Sequence, residues 1–364
     1  MIKRNRRAAL TTLGVAWLAA CGGGETLTAA LLGSSEAAPG PANPPGAEPA
    51  LTPAAATRYG RFAAAALGAG AALNGALPFP ADNPWNTDIS AAPRDPNSDA
   101  LVASIGLGVG LHPDFGAGLY NGAPIGIPYV VVSGVQAPAP MTWTAYRDES
   151  DAGPYPVPAN APVEGGATPT NMGDRHVIVI DRDNDRLYEL FSATCNADGS
   201  WDAGCGAVFH LDSNDVRPTA RPGWTSADAA GLPIFPGLAR YEEAARGPGG
   251  VLHALRFTVQ RTRRAYAAPA THWASSNTNV DLPPMGMRVR LKASYVIPAS
   301  FSRETRALLT AMKTYGMIVA DNGSNWYVSG APDDRWNNSA LVGELRQVTG
   351  NDFEVVRMSD VVTA

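Results

Sequence analysis

Apolar segments of strand length, separated by residues that favour turns, recur along most of the chain and constrain its fold more than any other feature. They lie at 127–132, 176–180, 186–191, 207–211, 252–259, 287–295 and 326–328. Glycine and proline contribute 38 and 31 of the 364 residues, enough to break the chain into many short elements. The sequence therefore predicts a mostly β domain, arranged as a β-sandwich or jelly-roll.

Two segments near the C-terminus carry helical signals. Ser302 can cap a helix over 302–315, which has an apolar stripe on one face and ends before Gly316. A second helix is predicted over 338–348 and is closed by Gly350. These patterns add one or two C-terminal helices to the predicted β domain.

The N-terminus, MIKRNRRAALTTLGVAWLAAC, is typical of a secretory signal peptide. A basic stretch precedes an apolar run that is too short to cross a bilayer and ends in small residues. Its LAAC segment resembles the lipobox of bacterial lipoproteins, which implies that residues 1–20 are removed and that Cys21 is lipidated. We therefore expect a lipid-anchored, extracytoplasmic protein of the cell envelope. The alternative is an ordinary signal peptide with an incidental cysteine.

Composition divides the rest of the chain into a tether and a domain. Residues 21–77 are rich in alanine, glycine and proline and show little periodicity, which is typical of a linker. No internal repeat or change of composition interrupts 78–364, so we expect one globular domain there, acting as a monomer.

Two cysteines remain after Cys21 is assigned to lipid. Cys195 and Cys205 flank the turn-rich stretch NADGSWDAG, and in an oxidising compartment this arrangement predicts a disulfide across the loop. A metal site would need more ligands nearby than His210 supplies. We expect no metal and no cofactor.

The stretch DRHVIVIDRDNDRLYELF at 174–191 reads as a β-hairpin with a polar turn. An even-numbered loop pairs Asp181 with Arg186, as a closing ion pair, and places His176 and Glu189 on one face as diagonal neighbours. A carboxylate on an otherwise apolar face tends to have a raised pKa, which suits a general acid. The alternative is that His176 and Glu189 satisfy each other's hydrogen-bonding groups at the edge of the sheet and have a structural role.

A basic surface is predicted from two alternating strands between 251 and 295. Arg256, Arg288 and Arg290 occupy the positions opposite the apolar residues and form a face that can bind carboxylate or sulfate groups of an acidic glycan. The alternative is a solvated face. Because the formal net charge of the whole chain is −5, no nucleic-acid partner is expected.

The irregular segment PATHWASS joins these two strands. Loops carried by a rigid sheet often hold binding residues. His272 with Tyr266 and Arg264 can provide the base, acid and charge neutraliser of a polysaccharide lyase, and Trp273 adds an aromatic surface. The alternative role for His272 is a hydrogen bond to the backbone.

A third feature is the stretch YGMIVADNGSNWYVSGAPDDRWNN, which places Asp321 close to Trp326 in sequence. Aromatic rings stack on sugars while carboxylates bind their hydroxyl groups, so this combination indicates carbohydrate recognition. Tryptophan near turns is also common in β proteins, which is the structural alternative.

The segments IPYVVV, GWTSADAAGLPIFPGLARYEE and YGMIVADNGSNWYVSGAPDDRWN resemble a set of secreted bacterial proteins of unknown function. The resemblance covers most of 78–364 and implies one intact domain, without an activity. The chain has no G-x-S-x-G elbow, H-E-x-x-H motif, phosphate-binding glycine loop or C-x-x-C pair. These absences disfavour serine hydrolases of that type, zinc peptidases, NTPases and Rossmann dehydrogenases.

Taken together, these features predict a domain that binds polysaccharide. In one interpretation the domain also cleaves the polysaccharide. A glycosidase needs two carboxylates, and Glu189 and Asp321 are the expected pair, with His176 beside Glu189. A lyase would instead use the loop that carries His272. The competing class is a non-catalytic glycan-binding or structural lipoprotein of the envelope.

Overall fold

The computed structural model describes residues 57–166 and 174–363. All of them belong to one compact unit, Ala55–Ala364. The predicted signal peptide, Cys21 and the tether as far as residue 56 lie outside the described residues.

Short strands dominate the described residues, as the sequence predicts. In chain order they are β1 (Arg58–Tyr59), β2 (Gly68–Ala69), β3 (Ala76–Leu77), β4 (His112–Asp114), β5 (Leu119–Tyr120), β6 (Ala123–Pro124), β7 (Tyr129–Val132), β8 (Met141–Trp143), β9 (Val177–Asp181), β10 (Arg186–Phe191), β11 (Thr194–Cys195), β12 (Trp201–Ala203), β13 (Cys205–His210), β14 (Leu255–Val259), β15 (Ala265–Tyr266), β16 (Arg288–Leu291), β17 (Met317–Asn322), β18 (Tyr327–Ser329), β19 (Phe353–Val355) and β20 (Val362–Thr363). The helices are α1 (Ser98–Ile105), α2 (Tyr241–Ala244), α3 (Arg303–Thr314) and α4 (Asn338–Leu345).

Two mixed sheets organise these strands. The first has the order β13-β10-β9-β7-β2, and the second has the order β19-β16-β17-β14-β18-β4. Ile178 and Phe209 of the first sheet lie in the same buried cluster as Phe257 and Val319 of the second. The jelly-roll prediction is not confirmed, because a jelly roll is antiparallel whereas β7–β9, β14–β17 and β18–β4 pair in parallel.

Both predicted C-terminal helices are present. Helix α3 begins after Ser302, whose side chain accepts a hydrogen bond from the Thr305 amide, and it buries Leu308 and Met312. Helix α4 ends three residues before the predicted end at 348.

Among the described residues, every helix is too short or too polar to span a bilayer.

The hairpin register predicted for 174–191 is confirmed, with Arg186 opposite Asp181. The predicted ion pair between these two residues is wrong. Asp181 instead accepts hydrogen bonds from the backbone and side chain of Asn184, so it stabilises the turn. Arg186 reaches the Asp212 carboxylate at 3.3 Å.

Packing begins earlier than the predicted boundary at residue 78. Phe62 and Leu73 are fully buried in the main core, and the Phe62 amide donates to the Asp185 carboxylate at 2.8 Å. Gly68 has a φ of 118°, which favours glycine, and β2 pairs with the edge of the first sheet. The tether expected over 21–77 therefore does not include its last twenty or so residues, which are part of the domain.

The disulfide prediction is wrong, because Cys195 and Cys205 are not bonded to each other. The turn after Cys195 closes a hairpin that sets this residue opposite Trp201. Cys205 belongs to the next strand, where its Sγ lies 3.0 Å from the carbonyl oxygen of Ser226. The intervening hairpin therefore directs the two thiols to different partners.

Candidate functional site

Glu189, the expected glycosidase acid, is sealed in the core. It is 0% exposed, and its carboxylate accepts hydrogen bonds from the backbone amides of Ile234 and Phe235 at 2.8–2.9 Å. Burial raises the pKa of Glu189 to about 7, against the opposing effect of these amides. The side chain therefore anchors the 225–235 loop and does not face solvent.

His176, the expected partner of Glu189, pairs with Glu164 instead. Its Nδ1 lies 2.7 Å from Glu164 Oε2 and its Nε2 lies 3.2 Å from the carbonyl oxygen of Ala227. Both neighbours are acceptors, so both ring nitrogens donate and the ring is an imidazolium. Burial lowers the pKa of His176, but the Glu164 carboxylate outweighs this effect and raises it to about 9. A group held in this state is a poor general base near neutral pH.

The second sheet carries a polar face near its β4 edge. Tyr327 pairs with His112 and with Thr258, and Ser329 pairs with Asp114. Side chains of paired and alternate residues share a face of the sheet. We define the polar face by the side chains that this register brings together: His112, Asp114, Arg256, Thr258, Asp321, Tyr327 and Ser329.

A β-bulge brings Asp321 onto this face. Phe257 pairs with Val319, but Thr258 pairs with Asp321, so Ala320 is the extra residue. In a regular ladder Thr258 would oppose Ala320, and Asp321 would point to the other side of the sheet. The bulge therefore aims the Asp321 carboxylate at the face that holds the Arg256 guanidinium, whose pKa Asp321 helps to raise.

Arg256 belongs to the polar face but is only 3% exposed. Its Nη2 donates to Asp228 Oδ2 at 2.7 Å and its Nη1 donates to Ser329 Oγ at 2.8 Å. Burial raises the pKa of Asp228, and Asp321 raises it further, while Arg256 opposes both. The predicted role of Arg256 as an exposed glycan-binding residue is not supported, because the guanidinium is buried and its charge is neutralised by Asp228.

The rest of the predicted basic face also serves structure. Arg288 donates to the carbonyl oxygens of Tyr315 and Pro84. Arg290 donates to Glu354 Oε1 at 2.8 Å and to backbone carbonyls. Both arginines therefore tie separate parts of the chain to β16, and the face does not offer a row of exposed cations.

Trp326, the expected sugar platform, is 0% exposed. Its ring stacks between Phe257 and Phe353, with centroids 5.4 and 5.1 Å away. The tryptophans at 85, 201 and 336 are buried as well. Most of the tryptophans near turns in this chain therefore pack in the core.

The loop after β15 does form a half-buried aromatic surface. The Trp273 ring lies 5.7 Å from that of Tyr266 at 20° and 6.4 Å from that of His272 at 10°. The Arg264 guanidinium lies 5.9 Å from the Trp273 ring. We call the three stacked rings, Tyr266, His272 and Trp273, the aromatic ledge.

The aromatic ledge and the polar face border the same buried loop. His272 Nδ1 donates to the carbonyl oxygen of Ala229 at 2.8 Å, and the His272 amide donates to that of Ala230. The Ala230 amide in turn donates to Ala320, the residue before Asp321. The structure thus brings Asp321 and the aromatic ledge to one region and leaves Glu189 and His176 inside the core.

Sequence reasoning missed the outer part of the polar face. His112 and Tyr327 stack with ring centroids 4.2 Å apart, and Asp114 is exposed two residues beyond His112. The available signal was the alternation in LHPDF, but Pro113 argues against a strand. Strand β4 tolerates this proline because it lies at the edge of its sheet.

The described residues contain no group of three or more His, Cys, Asp or Glu side chains that could hold a metal ion. Comparison with known proteins found no matching family model, no matching curated protein and no matching solved structure.

Proposed function

We propose that this chain is an extracytoplasmic lipoprotein whose domain binds polysaccharide at the aromatic ledge. The observation that carries the proposal is the near-parallel stack of Tyr266, His272 and Trp273, which is half buried and flanked by the Arg264 guanidinium. The two main sheets, which share one core, are proposed to form a β-sandwich that supports this surface.

The ledge has the chemistry that sugar rings require. Aromatic faces are apolar and carry negative charge density, so they attract the C–H groups on one face of a sugar. Arg264 and the nearby Asp321 supply a donor and an acceptor for hydroxyl groups. Because the ledge lies on a loop that is anchored through Ala229 and Ala230, little conformational entropy is lost when a ligand binds.

A lyase is the second candidate, because His272, Tyr266 and Arg264 do lie together. Such an enzyme would release unsaturated chain ends from uronate-containing polysaccharide, which are detected by a new ultraviolet absorbance. A binding protein without lyase activity retains the polysaccharide and produces no such signal.

Binding is tested by retention of the full-length protein on immobilised polysaccharides. Trp273→Ala should weaken binding by about 1 kcal/mol, or roughly fivefold in Kd, because one stacked ring is lost. The matched control is Trp143→Ala, since Trp143 is also half buried but packs against Tyr155 in a second core cluster. Equal retention of wild type and Trp273→Ala on every polysaccharide that binds would contradict the proposal, as would a failure to bind any.

The envelope location and the monomeric state are also proposals, supported by the N-terminal sequence and by the compact unit Ala55–Ala364. Replacing Cys21 with alanine should move the protein from the membrane fraction to the soluble fraction of cells. Unchanged membrane association of this variant would contradict lipidation at Cys21.

A further inference from the structure

Trp224 lies on a tight turn whose geometry is set by its local sequence. The turn runs from Arg221 through Pro222 and Gly223, and it closes with a hydrogen bond from the Trp224 amide to the Arg221 carbonyl oxygen at 3.0 Å. Proline at the second position and glycine at the third, here with a φ of 83°, are typical of a type II turn. The turn therefore fixes the backbone that carries the side chains of Arg221 and Trp224.

The ring of Trp224 packs against a buried arginine. The Arg217 side chain is 6% exposed, and its guanidinium carbon lies 5.6 Å from the centre of the Trp224 ring. Its Nε donates to Asp151 Oδ2 at 2.9 Å. Its Nη1 and Nη2 donate to the carbonyl oxygens of Thr225 and Glu149. Because Trp224 is half buried, this fixed guanidinium positions the ring while part of the ring stays accessible.

Arg221 supplies an exposed cation beside the same ring. Its guanidinium carbon lies 5.9 Å from the centre of the Trp224 ring. Within residues 57–166 and 174–363, the Arg221 guanidinium has neither a carboxylate partner nor a hydrogen-bond acceptor. We call Arg217, Arg221 and Trp224 the turn platform.

The turn platform adjoins the aromatic ledge. Thr271, the residue before His272, places its hydroxyl oxygen 3.4 Å from the Trp224 carbonyl oxygen. A methyl group added at Gly231 would lie 3.0 Å from that same carbonyl oxygen and 3.4 Å from the Cβ of His272. The segments that carry Trp224 and His272 are therefore packed together, and one polymer chain can contact the aromatic rings of both.

The two surfaces are locally basic on a chain that is acidic overall. Segments 217–224 and 261–287 contain five arginines and one acid, Asp281, whereas the formal net charge of the chain is −5. Arg264, whose guanidinium lies 5.9 Å from the Trp273 ring, is exposed like Arg221. In the described part of the chain, its guanidinium also lacks a carboxylate partner and a hydrogen-bond acceptor.

The acids that contact the turn platform are already engaged. Asp151 accepts from Arg217, and Glu149 Oε2 accepts from the Thr225 amide at 2.8 Å. These contacts hold the turn platform in place and leave the charge of Arg221 for a ligand.

We propose that the aromatic ledge and the turn platform form one binding surface for an acidic polysaccharide, whose carboxylate or sulfate groups bind Arg221 and Arg264. This inference rests on the proposed binding of polysaccharide at the aromatic ledge and names its substrate class. A guanidinium presents paired N–H donors that match the oxygens of either anion. Trp224 and Trp273 contact the faces of sugar rings on either side of these charges.

The test compares retention of the full-length protein on polymers that share a backbone and differ in charge. The pairs are polygalacturonate with its methyl ester, and dextran sulfate with dextran. The wild type should bind the charged member of at least one pair about tenfold more tightly than the uncharged member. Because the protein carries a net charge of −5, a polyanion repels it overall, so this preference reports a local basic site. The pair that shows the preference identifies the bound group as carboxylate or sulfate.

Single substitutions locate the site. Arg221→Gln and Arg264→Gln should each weaken binding to the charged polymer about fivefold, as expected for a partly exposed ion pair, and leave binding to an uncharged polymer unchanged. Arg346→Gln, exposed at the end of helix α4, is the matched control and should change neither. Trp224→Ala should weaken binding to every retained polymer about fivefold, as Trp273→Ala does.

Salt dependence gives an independent readout. Raising NaCl from about 0.1 M to about 1 M shortens the screening length from about 10 Å to about 3 Å and should weaken wild-type binding to the charged polymer. The double variant Arg221→Gln, Arg264→Gln should show a smaller salt effect, whereas Trp224→Ala should keep the wild-type salt effect. Thermal unfolding is followed in parallel. Arg221 is exposed, so its variant should keep the wild-type Tm and carries the test if Trp224→Ala unfolds.

The outcomes separate this inference from the proposed function. If the wild type binds through Trp273 but retains uncharged polymers as tightly as charged ones, the acidic class is overturned and the binding proposal stands. Wild-type retention by both Arg221→Gln and Trp224→Ala would exclude the turn platform in the same way. Tighter binding to single-stranded DNA than to either acidic polysaccharide would also overturn the inference. If no polysaccharide is retained, both proposals fail.

Discussion

Replacing Arg256 with methionine distinguishes a structural role for this residue from the ligand-binding role that its strand pattern predicts. Arg256 is 3% exposed and neutralises Asp228, which is 0% exposed. Methionine fills most of the same volume but removes both the charge and the bond to Ser329. Asp228 then keeps the Ala230 amide as a hydrogen-bond donor but has lost its cation.

Removing one partner of a buried ion pair costs about 3–5 kcal/mol, because the other charge is left uncompensated. For a domain of this size the loss corresponds to a decrease in Tm of about 5–15 °C. The free energy of unfolding can be measured by urea titration followed by circular dichroism, with Arg264→Met as the control. Arg264 is exposed, so its replacement should change stability by less than about 0.5 kcal/mol.

The double variant Arg256→Met, Asp228→Leu should recover part of the lost stability, because no unpaired charge remains. The reasoning is refuted if Arg256→Met unfolds at the wild-type urea concentration but loses retention on polysaccharide. That result would mean that Arg256 faces a ligand and that the ion pair with Asp228 contributes little.

Three further predictions follow from the buried groups. Glu189→Gln should lower stability by about 1–3 kcal/mol in urea titration, because the glutamine NH₂ replaces one of the two carboxylate oxygens that lie 2.8–2.9 Å from the Ile234 amide nitrogen and sets a donor against a donor; unchanged stability would contradict the anchoring role. The folded protein binds the His176 proton more tightly than the unfolded chain does. The contribution of this proton to the free energy of unfolding, on the order of 1–3 kcal/mol, is therefore fully present below about pH 6.5 and is lost as pH rises toward 9. His176→Gln should remove this pH dependence, and a wild-type Tm that does not fall between pH 6.5 and 9 would refute it. A thiol reagent should modify Cys195 in the native protein but Cys205 only after unfolding, and a failure of both to react after unfolding without reductant would indicate a disulfide.

Local patterns in the sequence determined the elements that depend on neighbouring residues. The 174–191 hairpin was predicted with its register because turn length and alternation set strand pairing. Helix α3 was predicted because Ser302 and Gly316 mark its ends. The mostly β class follows in the same way from strand length and turn frequency.

Tertiary structure alone decided which polar groups remain available. Alternation along β14 predicts an outward Arg256, but the 225–235 loop covers this residue and supplies Asp228. Glu189 is likewise occupied by amides 45 and 46 positions along the chain. Such contacts join residues that are distant in sequence, so no local pattern records them.

The site therefore depends on features that sequence periodicity does not show. A single extra residue at the β14–β17 bulge turns Asp321 onto the polar face. The edge strand that carries His112 and Asp114 was not predicted, because Pro113 lies between them and proline disfavours a strand. Sequence by itself determined a β-rich chain with an aromatic loop and ionisable residues on strands. The packing of loops over the two sheets decided which of those residues became core and which remained at the surface, because burial depends on what covers a strand and not on the strand itself.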